Sequence, residues 1–224
     1  MSSAARITRV KICCNQSIDE AWMAIRHGAS AVGLVSAMPS GPGPISEQRI
    51  AAIAAALPPA IGSFLLTSKQ DPASIVAQQR RCGVNTIQFV DRLPIGSYAQ
   101  LRQAMPGVSL VQVVHVMGQE AIAEAGAVAP HVDGILLDSG NPTLPRKELG
   151  GTGRTHNWEI SRQIVQQVRV PVFLAGGLRP DNVAQGIQTV RPFAVDVCSG
   201  VRTAGKLDPA KLAAFFAAVR RADR

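Results

Sequence analysis

The sequence predicts an α/β protein, a (β/α)8 TIM barrel with eight parallel strands and an outer layer of helices, formed as one domain over residues 1–224. Three observations carry this expectation. Eight short β-branched runs alternate with eight longer amphipathic runs, in units of about 25 residues and without a break in composition. Several short runs are apolar almost throughout, as in Gly134-Ile135-Leu136-Leu137, the pattern of parallel strands buried on both faces. Glycines and polar residues gather just after these runs, where barrel enzymes carry their chemistry. An open doubly wound sheet is the alternative, but it more often stops at five or six strands, and no GxGxxG follows the first strand here.

Taken in order, strands are expected at 9–13, 31–36, 62–67, 86–90, 110–116, 134–138, 170–175 and 194–199. Helices are expected between and after them, at 18–27, 46–57, 72–82, 96–105, 119–128, 157–168, 181–190 and 209–220. In the first helix Ile18, Trp22 and Ile25 recur at helical spacing, which assigns Trp22 to the core. Tyr98 and Phe215-Phe216 read the same way. The second helix repeats apolar residues at Ile50, Ile53, Ala54 and Leu57, and Ser46 is placed to cap it.

Composition narrows the function. With 46% hydrophobic and 17% charged residues the chain has the makings of a folded globule. Residues 1–5 form a Ser/Ala stretch without an apolar signal core, and apolar runs stop at about 8 residues, well short of the roughly 20 of a membrane span. A soluble, cytoplasmic protein with no membrane partner is expected. Cys13, Cys14, Cys82 and Cys198 form no CxxC or zinc-like spacing and are expected as reduced thiols. The net charge of +8 comes from scattered Lys and Arg, and aromatics make up only 4%. That favours an anionic small molecule or ordinary solvated surface over nucleic acid.

Four segments carry candidate chemistry. Lys11-Ile12-Cys13-Cys14 closes the first strand, where a thiol can enter the barrel mouth and be tuned toward thiolate; a small buried hydrophobe is the alternative. Leu136-Leu137-Asp138-Ser139 ends an apolar strand in a carboxylate, which partial desolvation would suit to general-acid work; an Asp capping the next loop is the alternative. The loop Gly150-Gly151-Thr152-Gly153-Arg154-Thr155 has a backbone able to approach a ligand closely, although many glycine loops are only turns. Finally, Ala175-Gly176-Gly177-Leu178 and Asp196-Val197-Cys198-Ser199-Gly200-Val201 follow strands seven and eight, the usual phosphate site of such barrels. His115 at the end of strand five reads as a satisfied structural histidine, and His156 as a loop residue able to sense substrate.

In order and spacing these motifs, with Trp158 and Pro180-Asp181-Asn182-Val183, resemble the phosphoribosylanthranilate isomerase family over essentially the whole chain, most densely from Asp138 to Val201. The resemblance implies an Amadori rearrangement of a phosphoribosyl amine in tryptophan biosynthesis. It makes Asp138 the general acid at the furanose ring oxygen and Cys13 the general base at C2′. Lys11, Gly151, Gly153 and Arg154 are expected to contact substrate, and Gly176, Gly177, Asp196, Ser199 and Gly200 to hold its phosphate. No metal or organic cofactor is implied. The expected partner is the small phosphorylated substrate, and monomer and homodimer both fit.

Four positions depart from the family pattern. Cys14-Asn15-Gln16 follows Cys13 where the family has glycine, a small apolar residue and threonine. The loop Pro39-Ser40-Gly41-Pro42-Gly43-Pro44 lacks the arginine that meets the anthranilate carboxylate, leaving Arg154 or Arg92 as replacements. Gln88-Phe89-Val90-Asp91 stands where the family reads Gln-Leu-His-Gly, and Arg202 where it tends to have Glu. Three readings besides the family's own reaction therefore stay open: a divergent paralogue acting on a different sugar phosphate or a phosphoribosyl amine without that carboxylate, a non-catalytic phosphate-binding barrel, and a Schiff-base enzyme using Lys11.

Overall fold

A computed structural model describes residues 7–145, 147–151 and 153–224. The Ser/Ala stretch at 1–5 and Thr152 of the glycine-rich loop lie outside the described residues. The chain forms strands β1 (Arg9–Ile12), β2 (Ala31–Val35), β3 (Gly62–Thr67), β4 (Thr86–Phe89), β5 (Ser109–His115), β6 (Gly134–Asp138), β7 (Val172–Leu174) and β8 (Ala194–Val197). All neighbours pair in parallel, and β1 closes on β8 to complete the barrel. Helices α1 (Ile18–His27), α2 (Glu47–Ala55), α3 (Pro72–Cys82), α4 (Ile95–Ala104), α5 (Glu120–Val128), α6 (Trp158–Gln167), α7 (Val183–Val190) and α8 (Pro209–Ala222) alternate with the strands. The expected (β/α)8 architecture is therefore present.

Local chemistry accounts for the helix ends. Ser17, Ser46, Asp71, Asn157 and Asp208 each accept a hydrogen bond from a first-turn N–H, and Pro72 and Pro209 occupy first-turn positions that need no donor. Strands β1, β2, β4, β5, β7 and β8 stop one or two residues earlier than the sequence suggests. Residues just past the strand ends, such as Cys13, Val90 and Cys198, line the barrel mouth.

Side chains alternate along each strand. Val10, Ile12, Val32, Leu34, Val195 and Val197 point outward and pack with α1, α7 and α8. Ile87, Phe89, Leu110, Val114, Ile135 and Leu137 do the same under α4, α5 and α6. The inward set, Ala31, Val35, Phe64, Leu66, Val111, Val113, Leu136 and Phe173, fills the barrel itself. Tyr98, Phe215 and Phe216 are core residues as expected. Trp22 is not. Helix α1 buries its small Ala21 and Ala24, so Trp22 is only half-buried and lines an outer groove with Met23, Arg26 and His27. The helical period is right and its phase is not, because close packing onto the strands selects the alanine face.

After β8 a 3-10 turn (Ser199–Val201) leads into a small hairpin of β9 (Arg202–Thr203) and β10 (Lys206–Leu207). Arg202 is buried and pairs with Glu20 of α1 at 3.0 Å. Its Nη2 also donates to the carbonyls of Cys13 (3.2 Å) and Cys14 (2.6 Å). Burial disfavours the Glu20 carboxylate, but Arg202 and the N–H groups of Leu207 and Gln16 override it, so Glu20 titrates below the ordinary glutamate value. Arg202→Met should therefore lower the unfolding free energy by roughly 3–5 kcal/mol, read from the urea midpoint at unchanged m-value. The stabilisation from a lowered carboxylate is complete above its unfolded value and fades as pH falls through the folded one. The gap between parent and variant should thus narrow below about pH 4.

Candidate active site

A cavity opens in the mouth at the carboxyl ends of the strands. Cys13 and Cys14 from the end of β1, Asp138 from β6, Gly176 and Gly177 after β7, and Asp196 and Ser199 at the end of β8 all line it. Gly151 and Gly153 line it from the loop after β6. Of the expected residues, then, eight converge here: Cys13, Asp138, Gly151, Gly153, Gly176, Gly177, Asp196 and Ser199. Gly200 lies one residue beyond, packed so closely on the Leu178 carbonyl that a side chain has no room. Lys11 sits fully buried beneath the cavity. Arg154 does not join them: it is exposed, pairs with Glu148, and lines a separate outer groove with Arg179 and Gln185. Arg92 likewise lines a crevice on the helix side, beside Tyr98 and Glu124.

The floor is built by strand register. Lys11 faces Asp196 across the β1–β8 seam, and their charged atoms are 2.9 Å apart with side chains 0% and 7% exposed. Burial works against the ammonium, but Asp196 and the adjacent Cys13 outweigh it and hold Lys11 charged. Asp196 is pushed up by burial, with Lys11 opposing only in part. Gly33, on the neighbouring strand β2, makes room for this group: a Cβ there would stand 2.8 Å from Cys13 Sγ and 3.1 Å from Lys11 Nζ. A glycine inside an otherwise apolar strand is a sequence signal for such a close approach, although it does not reveal which groups approach.

Two titratable groups face the cavity with opposite tuning. The Cys13 thiol is held below its ordinary value by its hydrogen bond with the Cys14 thiol and by Lys11, against the effect of burial. Cys14 is pushed up well above the ordinary thiol. Burial raises Asp138 above the ordinary aspartate value, and the Ser139 N–H, donating to Oδ1 at 2.7 Å, only partly offsets it. The loops beside it lie close: a Cβ at Gly150 would stand 2.9 Å from Asp138 Oδ2, and one at Gly176 would stand 3.1 Å from Oδ1. Gly177 adopts φ 61°, and the Arg154–Thr155 backbone rests where its Cβ would be.

Other polar groups complete the rim. His115 is buried against Val90 O at 3.0 Å through Nε2, while its Nδ1 has no hydrogen-bond partner. Burial pushes His156 down to about 4, so it is neutral at pH 7, with Nε2 2.7 Å from Ser161 Oγ. Asp91 pairs with Lys147 of the loop after β6, and Ser40 of the loop after β2 donates to the Lys147 carbonyl. Three loops are thereby tied together at Lys147, a residue whose role the sequence pattern did not suggest. Gln88 was missed as well; it is buried, lines the cavity and leaves Oε1 unpartnered. Among the described residues lining the cavity none is Lys or Arg, and no group of acidic, His and Cys side chains among the described residues suits a metal ion. No helix of the described residues is long and apolar enough to cross a membrane.

Comparison with known proteins agrees with this architecture. The family model "N-(5'phosphoribosyl)anthranilate (PRA) isomerase" matches residues 10–218. The N-(5'-phosphoribosyl)anthranilate isomerase of Halobacterium salinarum is 38% identical over 213 residues, 94% of this chain and 95% of the relative. That of Methanocella arvoryzae is 35% identical over 195 residues, 87% of this chain and 89% of the relative. Among solved structures, the Thermotoga maritima enzyme superposes with a TM-score of 0.83 at 29% identity, covering 96% of this chain and all of that one. A phosphoribosyl anthranilate isomerase in complex with reduced 1-(o-carboxyphenylamino)-1-deoxyribulose 5-phosphate gives 0.80 at 27% identity over the same share of this chain. The family model matches this barrel from its first strand to its last helix, and the chain is a member of the N-(5'-phosphoribosyl)anthranilate isomerase family.

Proposed function

We propose that this protein isomerises N-(5'-phosphoribosyl)anthranilate to the corresponding 1-amino-1-deoxyribulose 5-phosphate, with Asp138 as general acid and Cys13 as general base. One observation carries the assignment: a carboxyl raised by burial and a thiol lowered by its neighbours line the same cavity from different strands. Environments that drive two titratable groups apart divide acid from base. Protonated Asp138 delivers its proton to the furanose ring oxygen as the C1′–O bond breaks, leaving a Schiff base at C1′. The Cys13 thiolate then removes the C2′ proton, and the enolamine formed relaxes to the ketone.

The phosphate belongs against the backbone of Gly176, Gly177, Ser199 and Gly200, with Asp196 and Lys11 fixing the strand ends beneath it. Gly151 and Gly153 let the loop after β6 approach the sugar. For the substrate's carboxylate we assign Lys147, which, like Arg154 and Arg92, stands outside the cavity lining but is tied through its carbonyl to Ser40, a residue that lines it. Lys147 sits at the rim between Ser40 and Asp91, beside the loop that lacks a cation. That lack also supports a second reading, a paralogue whose substrate has no such carboxylate.

Purified protein should consume N-(5'-phosphoribosyl)anthranilate generated in situ, followed by loss of anthranilate-type fluorescence. Cys13→Ala and Asp138→Asn should each lower kcat by about 10²- to 10⁴-fold while circular dichroism stays unchanged. If the parent is inactive but inorganic phosphate raises its melting temperature, the paralogue reading replaces the isomerase one.

Against pH, kcat/KM should trace a bell. It rises as Cys13 ionises, below the ~8.5 of a free thiol, and falls as Asp138 ionises, above the ~3.9 of a free aspartate. A profile flat between about pH 4 and 9 would remove both assignments.

Loss of one charge-assisted contact in Lys147→Met should raise KM by roughly 10- to 100-fold with a smaller change in kcat. An unchanged KM would exclude Lys147 from carboxylate binding.

A further inference from the structure

Three of the four cysteines meet at the cavity wall although the chain separates them widely. Cys13 and Cys14 end β1, and Cys198 follows β8. Barrel closure sets them side by side: Ile12 pairs with Val197, and the Cys13 N–H donates to Val197 O at 2.8 Å. The Cys14 and Cys198 sulfurs lie 2.6 Å apart. Both are free thiols and both face the cavity, with Cys198 half-buried.

The backbone keeps them there. Cys14 holds φ 63°, a left-handed conformation uncommon for a residue with a side chain. Arg202 anchors it by donating to the Cys14 carbonyl, and Gly43 packs against its Cβ. The two sulfurs are already in direct contact, the proximity that a sulfur–sulfur bond requires.

We propose that Cys14 and Cys198 are a reversible oxidation site, forming a disulfide across the β1–β8 seam when a peroxide enters the mouth. The Cys198 thiol, as thiolate, attacks one peroxide oxygen and breaks the O–O bond, leaving a sulfenic acid and, after protonation, one water. The Cys14 sulfur then displaces the sulfenic oxygen, which leaves as a second water once Cys14 has given up its proton. Two thiols and one hydrogen peroxide thus become one disulfide and two waters. A small dithiol reverses it by exchange. The bond would take up the Cys14 thiol next to Cys13 and tie down the chain immediately before Ser199 and Gly200. The modification stands on geometry alone, whereas its effect on turnover rests on the isomerase reading.

The test treats the reduced full chain with stoichiometric hydrogen peroxide and maps its peptides without reduction. A Cys14–Cys198 crosslinked peptide is expected, with the mass of two hydrogens lost. Turnover and the stabilisation by inorganic phosphate should both fall at least several-fold and return with dithiothreitol. In Cys198→Ser and in Cys14→Gly, each compared with its own untreated sample, the dithiothreitol-reversible part should vanish. A Cys13–Cys14 bond, no crosslink, or the same reversible loss in Cys198→Ser would overturn the proposal. The crosslink and the phosphate response are read without isomerase substrate, so they decide the modification even if the isomerase reading fails.

Discussion

A fully buried lysine inside the barrel sets the terms for everything around it. Lys11 has no exposed surface, and an ammonium in that position is tolerable only because Asp196 stands opposite on the last strand. A one-residue slip of β1 against β8 would send both side chains to opposite faces and leave two uncompensated charges. The pair is thus a registration device more than a source of net stability, since burying two ions costs much of what their attraction returns. It also fixes the electrostatics of the mouth. Cys13 follows Lys11 by two residues, shares its face of the strand and draws on its charge. Cys14 lowers the thiol most, Lys11 adds to it and Asp196 opposes, and Gly33 supplies the space in which these groups meet.

The two halves of the mouth use different materials. The side formed by the ends of β7 and β8 is mostly small residues and backbone, suited to an anion that is recognised by N–H groups. The opposite side is made of side chains and loops, and departures from the family pattern stand on both sides, Asp91 after β4 and Cys14 and Arg202 beside β8. None of those side chains stands alone. Arg202 is matched by Glu20, Asp91 by Lys147, and Cys14 by Cys198. Substitutions that arrive with partners describe a remodelled site rather than a decaying one. This weighs against the non-catalytic barrel, as does the retained pairing of a lowered thiol with a raised carboxyl. Lys11, held charged against Asp196, is also a poor candidate for the neutral amine that a Schiff-base enzyme requires.

Much of this was legible along the chain. Strand and helix periods located all sixteen elements of the barrel, because alternation and helical spacing depend only on neighbours within a few residues. Small residues after β7 and β8, and the thiol and carboxyl at the ends of β1 and β6, marked the mouth for the same reason. Where local pattern failed, a longer-range choice had intervened. Trp22 obeys the helical period, yet α1 turns its alanines to the strands because only they fit that closely. Arg154 sits in a loop that lines the cavity, yet its charge goes to Glu148 outside it.

The sequence by itself determined the repeating βα units, their number, and which residue types stand at the strand ends. The tertiary structure alone decided the partners: Lys11 with Asp196, Asp91 with Lys147, Cys14 with Cys198. These pairs are far apart in sequence, and no periodicity connects their members. They meet because closure brings the first strand against the last, and because the loops that cross the mouth have only one another to satisfy their charges.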